Sequence, residues 1–198
     1  KKLTVDDSRI STTIANVNKN FKQSITPFLI SNTLITRQEI TETIDSIKEF
    51  PVTLVTAEAG MGKSAFLLEL HNKLESKQHV ILSLRLDRQK LEQNADIMGQ
   101  SLGFPYSPVQ ALSEYAGGQR IVLILDQLDA IRWTAAHSDE ALNICQDLVR
   151  QIVELRRLNI DISIVFASRD FDIIEDVALN SWVKMMDDRE LVNTVKLT

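Results

Sequence analysis

The sequence has a single cysteine, no long apolar run and no excess of basic residues. One cysteine, Cys145, cannot form an intramolecular disulfide. No apolar stretch approaches the length of a membrane span or a signal sequence, so the expected compartment is the cytoplasm. The formal net charge of −5 provides no global basic field, and we therefore expect no strong general nucleic-acid binding from this chain.

The remaining composition is that of an ordinary globular protein. With 198 residues, of which 44% are hydrophobic and 25% charged, the chain is long enough for one sizeable core and too short for two. We expect a core domain over residues 35–198. Residues 1–34 are expected to form an N-terminal helical extension or linker, because apolar side chains recur there at helical spacing before a break at Pro27: Ile10, Ile14, Val17 and Phe21.

Four apolar runs predict buried strands, and a fifth, shorter strand is predicted near the end: 51–57, 79–86, 120–126, 161–168 and 192–197. Their apolar residues are continuous instead of alternating, which is typical of parallel strands covered by helices on both faces. Helical segments are predicted between them at 64–75 and 139–158, and an interrupted one at 88–116. This alternation predicts an α/β fold of three layers around a mostly parallel, five-stranded sheet.

A further helix is predicted before the first strand. Thr36 and Glu39 have the spacing of a capping box, so this helix should begin near Arg37. Apolar residues three or four positions apart should form its buried face: Ile40, Ile44 and Ile47.

The turn after the first predicted strand reads AEAGMGKS, residues 57–64. It matches the phosphate-loop pattern G-x-x-x-x-G-K-[ST] at its last three positions, while Ala57 replaces the first glycine. In such a loop, backbone N–H groups surround phosphate oxygens, the lysine reaches the β- and γ-phosphates, and the serine hydroxyl binds Mg²⁺. We therefore expect nucleotide contacts from Glu58, Ala59, Gly60, Met61, Gly62, Lys63, Ser64 and Ala65.

A phosphate loop also requires a carboxylate that helps to hold Mg²⁺. The run IVLILD ends at Asp126, at the carboxyl end of a predicted parallel strand. Open α/β sheets bind their ligands at this edge. Ser64 and Asp126 are therefore the predicted metal residues, with ATP and Mg²⁺ as the predicted cofactors.

With two weaker motifs, these segments make residues 33–198 resemble the STAND class of P-loop NTPases, which are signalling ATPases that include NACHT-type and bacterial defence proteins. The resemblance rests on LITRQEI (34–40), AEAGMGKS (57–64), LILDQLDA (123–130) and ASR (167–169). It implies a P-loop NTPase fold, a preference for adenine, and an adenine pocket lined by Ile35 and Arg37. It also implies that Arg169 senses the γ-phosphate.

Two residues depart from the pattern of these ATPases. Gln127 stands where AAA+ relatives carry a catalytic glutamate, and an amide cannot accept a proton as a carboxylate does. Ala130 stands where many NACHT proteins carry an acid. The nearest carboxylate that can polarise water is then Asp129, and hydrolysis is expected to be slow. The predicted catalytic residues are Asp129, Arg169 and Lys63.

We predict an ATP-binding, slowly ATP-hydrolysing switch domain of a larger signalling or defence protein. Its expected partners are ATP or ADP, other domains of the same longer chain and, in one nucleotide state, further copies of the chain. One alternative is an AAA+ ATPase of DNA initiation or transposition, which a glutamate at position 127 would favour; another is a catalytically inactive P-loop scaffold. A small-molecule P-loop kinase would need an arginine-bearing lid, for which residues 88–116 offer only Arg88.

Overall fold

The computed structural model describes residues 7–28, 37–89, 94–129 and 138–198. The strands are β1 (Val52–Ala57), β2 (Val80–Arg85), β3 (Ile121–Asp126), β4 (Ile162–Arg169) and β5 (Val192–Lys196). The helices are α1 (Asp7–Ile25), α2 (Glu39–Glu49), α3 (Lys63–Ser76), α4 (Ala95–Leu102), α5 (Pro108–Tyr115), α6 (Ser138–Arg157), α7 (Asp170–Glu175) and α8 (Val177–Asp188). Short 3₁₀ turns follow α1 and β2, at Thr26–Phe28 and Leu86–Arg88.

The five strands form one parallel sheet in the order β2-β3-β4-β1-β5. The predicted strands and the three-layer α/β architecture are confirmed. Alternate residues of β3 enter two separate cores: Ile121, Leu123 and Leu125 pack on one face, and Val122 and Ile124 on the other. Helices α2 and α3 cover the second face, while α4, α5, α6 and α8 cover the first. Because both faces are covered, continuous apolar runs are the appropriate strand sequences.

Helix α1 packs along the edge of this sheet, against β2. The Asn18 amide donates from Nδ2 to the carbonyl of Ile81 (2.8 Å), and its Oδ1 accepts from the backbone N–H of Ser83 (2.8 Å). An edge strand exposes unpaired backbone groups, and Asn18 satisfies two of them as a neighbouring strand would. The apolar residues of α1 are shared between the two cores: Ile10 and Val17 lie in one, and Phe21 and Ile25 lie in the other.

The predicted start of α2 near Arg37 is wrong by two residues. Arg37 and Gln38 form a turn whose carbonyls accept from the N–H groups of Ile40 and Thr41 (3.2 and 3.0 Å), and the helix begins at Glu39. Thr36 lies outside the described residues, so the capping box stays a prediction. The predicted buried face of α2 is confirmed at Ile40, Ile44 and Ile47.

Candidate functional site

The candidate site lies where the strands end. Because the strands are parallel, their carboxyl ends meet at one edge of the sheet, and polar residues follow or end four of them: the glycine-rich loop after β1, Arg85 on β2, Asp126 on β3 and Arg169 on β4. In the order of the sheet, β4 separates the loop-bearing strand β1 from β3. The chain therefore brings together segments that are far apart in sequence.

The glycine-rich loop has the backbone conformation that its two glycines permit. Gly60 and Gly62 have φ angles of +83° and +75°, values that residues with a Cβ adopt rarely. A Cβ on Gly60 would meet no atom within 4 Å, so its backbone conformation, and not the available space, calls for glycine. Gly62 immediately precedes α3, and no side chain of the described residues caps this helix. The uncapped N–H groups and the positive end of the helix dipole suit an anion.

Ser64 and Asp126 are in direct contact. The Ser64 hydroxyl donates to Oδ2 of Asp126 at 2.6 Å, and Oδ1 accepts from the backbone N–H of Gln127 at 2.9 Å. Asp126 is fully buried. Burial raises the pKa of its carboxyl group, an effect that the Ser64 hydrogen bond and the nearby Arg85 charge oppose. Both oxygens of the buried carboxyl group therefore accept a hydrogen bond, one from α3 and one from the turn after β3.

Lys63, Asp129 and Arg169 form a second group of charges. The Lys63 side chain is almost buried, and burial lowers the pKa of its ammonium, although the Asp129 charge opposes this. Burial also raises the pKa of Asp129, which is 3% exposed. Its Oδ2 lies 3.6 Å from Nε of Arg169, while its Oδ1 is buried without a hydrogen-bond partner among the described residues. Such an orphaned acceptor needs a donor, such as a water molecule.

Gln127 turns the chain between the two aspartates. Its φ angle is +64°, in the left-handed region that glutamine adopts rarely. The next residue, Leu128, donates its N–H to the carbonyl of Ala167 at 2.8 Å and buries its side chain. Strained backbone of this kind is concentrated at functional sites. Here the turn places Asp129 beside Arg169 and leaves Gln127 at the cavity.

One cavity of about 320 Å³ joins most of these residues. The predicted site residues among its walls are Gly60, Gly62, Lys63, Ser64, Ala65 and Arg169, and the other walls are Gln127, Ile25 and Arg85. Glu58 and Ala59 line an adjoining cleft that also contains Arg169. Sequence reasoning missed Ile25 and Arg85. Arg85 was detectable by the argument that found Asp126, since it is a polar residue at the end of a buried strand.

Arg37 contacts the backbone of the glycine-rich loop. Its Nη2 donates to the carbonyl of Met61 at 3.0 Å, and its Nη1 donates to the carbonyl of Thr198 at 3.4 Å. Glu39 accepts from the backbone N–H of Thr198 at 3.0 Å. The start of α2, the loop and the residues after β5 are therefore joined. The role of Arg37 in an adenine pocket stays a prediction, and Ile35 lies outside the described residues.

The residues at this edge fit a nucleotide phosphate chain with Mg²⁺. The loop offers backbone donors and Lys63, and Ser64 and Asp126 offer the oxygen ligands that Mg²⁺ prefers. Among the described residues, no cluster of three or more His, Cys, Asp or Glu side chains could hold a metal.

No protein-family model matches the chain, and no curated protein matches its sequence. Solved structures do resemble it. The Walker-type ATPase PABY2304 of Pyrococcus abyssi has a TM-score of 0.51 at 13% identity, over 84% of this chain and 54% of that one. DnaA of Aquifex aeolicus, in its AMPPCP-bound structure, has a TM-score of 0.46 at 13% identity, over 85% of this chain and 50% of that one. The chain spans about half the length of both.

The likeness to the Pyrococcus ATPase establishes the fold. The chain is a three-layer α/β domain with the P-loop NTPase fold and an all-parallel, five-stranded sheet. Within residues 7–28, 37–89, 94–129 and 138–198, no helix combines the length and apolarity needed to cross a membrane.

Proposed function

We propose that this chain is an ATP-binding domain that uses Mg²⁺, hydrolyses ATP slowly and serves as a switch in a larger signalling or defence protein. One observation carries the proposal: the glycine-rich loop, Lys63 and Ser64 at the start of α3 line a single cavity, and the Ser64 hydroxyl contacts the buried Asp126. Loop N–H groups and Lys63 would bind the phosphate oxygens. Ser64 and Asp126 would hold Mg²⁺, which neutralises charge on the phosphates when bound.

Slow hydrolysis follows from the residues after β3. Gln127 can orient a water molecule but cannot accept its proton. Asp129 can, because burial raises the pKa of its carboxyl group and its Oδ1 is available to accept a hydrogen bond. Its Oδ2 lies beside Arg169, so the base and the arginine that would stabilise the γ-phosphate act as a pair. Replacement of Asp129 therefore tests slow hydrolysis against an inactive scaffold, because only a hydrolysing domain has a turnover that the replacement can lower.

The position of Arg169 supports a switch. It is the last residue of β4, and α7 follows it directly. Helix α7 exposes two apolar side chains, Phe171 (65%) and Ile174 (67%), a surface suited to contact with another domain of a longer chain. A movement of Arg169 toward the γ-phosphate of ATP would shift this surface. ADP has no γ-phosphate to attract Arg169, so the surface would stay in place.

Thermal unfolding tests nucleotide binding through the loop. A ligand at about a hundred times its dissociation constant stabilises the folded state by roughly 2.7 kcal/mol, which should raise the melting temperature of a domain this size by about 5–10 °C. Mg²⁺–ATP should produce this shift in the wild type and in Lys73→Ala, a control on the exposed part of α3. Lys63→Ala should lose most of it. Equal shifts in all three proteins would remove the loop from the site.

A further inference from the structure

Arg85 is a third cation at the candidate cavity, in addition to Lys63 and Arg169. It ends β2 and pairs in register with Asp126 of β3. The ends of three adjacent strands therefore carry Arg85, Asp126 and Arg169 in that spatial order. The strands on either side of Asp126 therefore both end in an arginine.

The guanidinium of Arg85 is held in place. Its Nε and Nη2 donate to the two carboxylate oxygens of Asp87 at 3.0 and 2.8 Å, a bidentate pair that fixes the plane of the group. The Arg85 side chain is only 16% exposed. No described residue accepts a hydrogen bond from its third nitrogen, Nη1. An arginine fixed by two of its nitrogens can offer the third to an anion with little further loss of side-chain entropy.

We propose that Arg85 binds the phosphate chain of the nucleotide, with Asp87 orienting it. This rests on the proposed function, because the ligand is the same. Arg85 lines the same cavity as the glycine-rich loop, Lys63 and Arg169, so three cations border one small cavity in a protein whose net charge is −5. Phosphate is the ligand chemistry that a planar guanidinium matches. The roles proposed for Lys63 and Arg169 are unchanged by this assignment.

Binding of inorganic tripolyphosphate and of ATP, measured by titration calorimetry without Mg²⁺, tests this assignment. Arg85→Ala should weaken both by about 10- to 100-fold, the loss typical of a charge-assisted contact. The control is Arg120→Ala, which also removes an arginine ion-paired to an aspartate, Asp161 at 2.7 Å, with a side chain 20% exposed. Arg120 immediately precedes β3, at the amino ends of the strands and away from the candidate cavity. Arg120→Ala should therefore bind both ligands within twofold of the wild type.

An alternative role for Arg85 is to neutralise the charge of Asp126 without contact with phosphate. The same substitution made in an Asp126→Asn protein separates the two roles. In Asp126→Asn the charge is gone, and Arg85→Ala should still weaken tripolyphosphate binding at least tenfold. No additional loss in that background would overturn the assignment. Urea unfolding of the ligand-free Arg85→Ala and Arg120→Ala variants measures any cost to the fold on its own.

The outcomes also distinguish this inference from the proposed function. Wild-type binding with a loss in Lys63→Ala but not in Arg85→Ala would refute the role of Arg85 and leave the phosphate loop intact. If the wild type binds neither tripolyphosphate nor ATP, with or without Mg²⁺, both proposals are wrong.

Discussion

The hydroxyl of Ser64, in the first turn of α3, donates a 2.6 Å hydrogen bond to Asp126 at the end of β3, 62 residues away in sequence. A serine after a glycine-rich loop and an aspartate after five aliphatic residues share no local pattern, and the fold alone brings them into contact. We expect Mg²⁺ to take both oxygens as ligands when nucleotide is bound.

Replacement of Asp126 by Asn should weaken the Mg²⁺ dependence of ATP binding while the protein stays folded. An amide keeps the shape: its oxygen can accept from the Gln127 N–H while its NH2 group donates to the Ser64 hydroxyl, but it lacks the charge that attracts the cation. ATP affinity measured across a Mg²⁺ titration provides the test, with circular dichroism as the check on folding. A Mg²⁺ response identical to that of the wild type would remove Asp126 from the site.

Asp129→Asn should separate catalysis from stability. Turnover should fall on the order of a hundredfold, because a general base contributes about that much, while ATP affinity stays nearly unchanged. The ligand-free melting temperature at pH 7.5 should rise, since burial raises the pKa of the Asp129 carboxyl group and the variant no longer buries that charge. Steady-state hydrolysis and thermal unfolding measure the two effects, with the exposed Asp187→Asn as control. Wild-type turnover would contradict the assignment.

Arg169→Ala should reduce the preference for ATP over ADP. Only ATP presents the phosphate that this arginine would contact, so ADP affinity should change little. Competition between ATP and ADP in an equilibrium binding assay measures the ratio of the two affinities. Arg157→Ala removes an exposed arginine at the end of α6 and should leave the ratio intact. If Arg169→Ala binds the two nucleotides in the wild-type ratio, the sensing role is wrong.

His71 should make stability depend on pH. It is fully buried, its Nδ1 pairs with the Ser83 hydroxyl at 2.7 Å, and its ring stacks on Phe21. Burial lowers its pKa to about 4, with the Lys22 charge acting in the same direction and Glu75 opposing it. Between pH 6.5 and pH 4 the unfolded chain therefore binds the proton that the folded chain excludes, and stability falls as the pH is lowered through this window.

The magnitude of this loss should be on the order of 2 kcal/mol between pH 6.5 and pH 4.5. Urea unfolding of the wild type and of His71→Gln measures it as a difference, in which the parallel contribution of the half-buried His79 cancels. Carboxylates such as Glu75 begin to titrate only toward the acid end of this window, since the ordinary pKa of glutamate is about 4.3. Equal pH dependence in the two proteins would show that His71 is not the titrating group.

The sequence predicted the strands because an aliphatic run covered on both faces has a distinctive composition. It did not predict the position of α1 along β2, because a single amide that pairs with the backbone of an edge strand, as Asn18 does, has no periodic signature. The candidate site was predicted where motifs are local, as in the loop, or where a strand ends in an acid, as at Asp126. The pairing of Arg85 with Asp87 depends on three-dimensional structure, and no motif marks it.

The central claim is that the loop after β1 binds the phosphates of ATP, and direct titration of Mg²⁺–ATP tests it. Calorimetry should give one site per chain in the wild type and in Lys73→Ala. Lys63→Ala should bind at least a hundredfold more weakly, because it loses the almost buried ammonium that we propose contacts the phosphates. Unchanged affinity in Lys63→Ala, or no binding by a folded wild-type protein, would contradict the account.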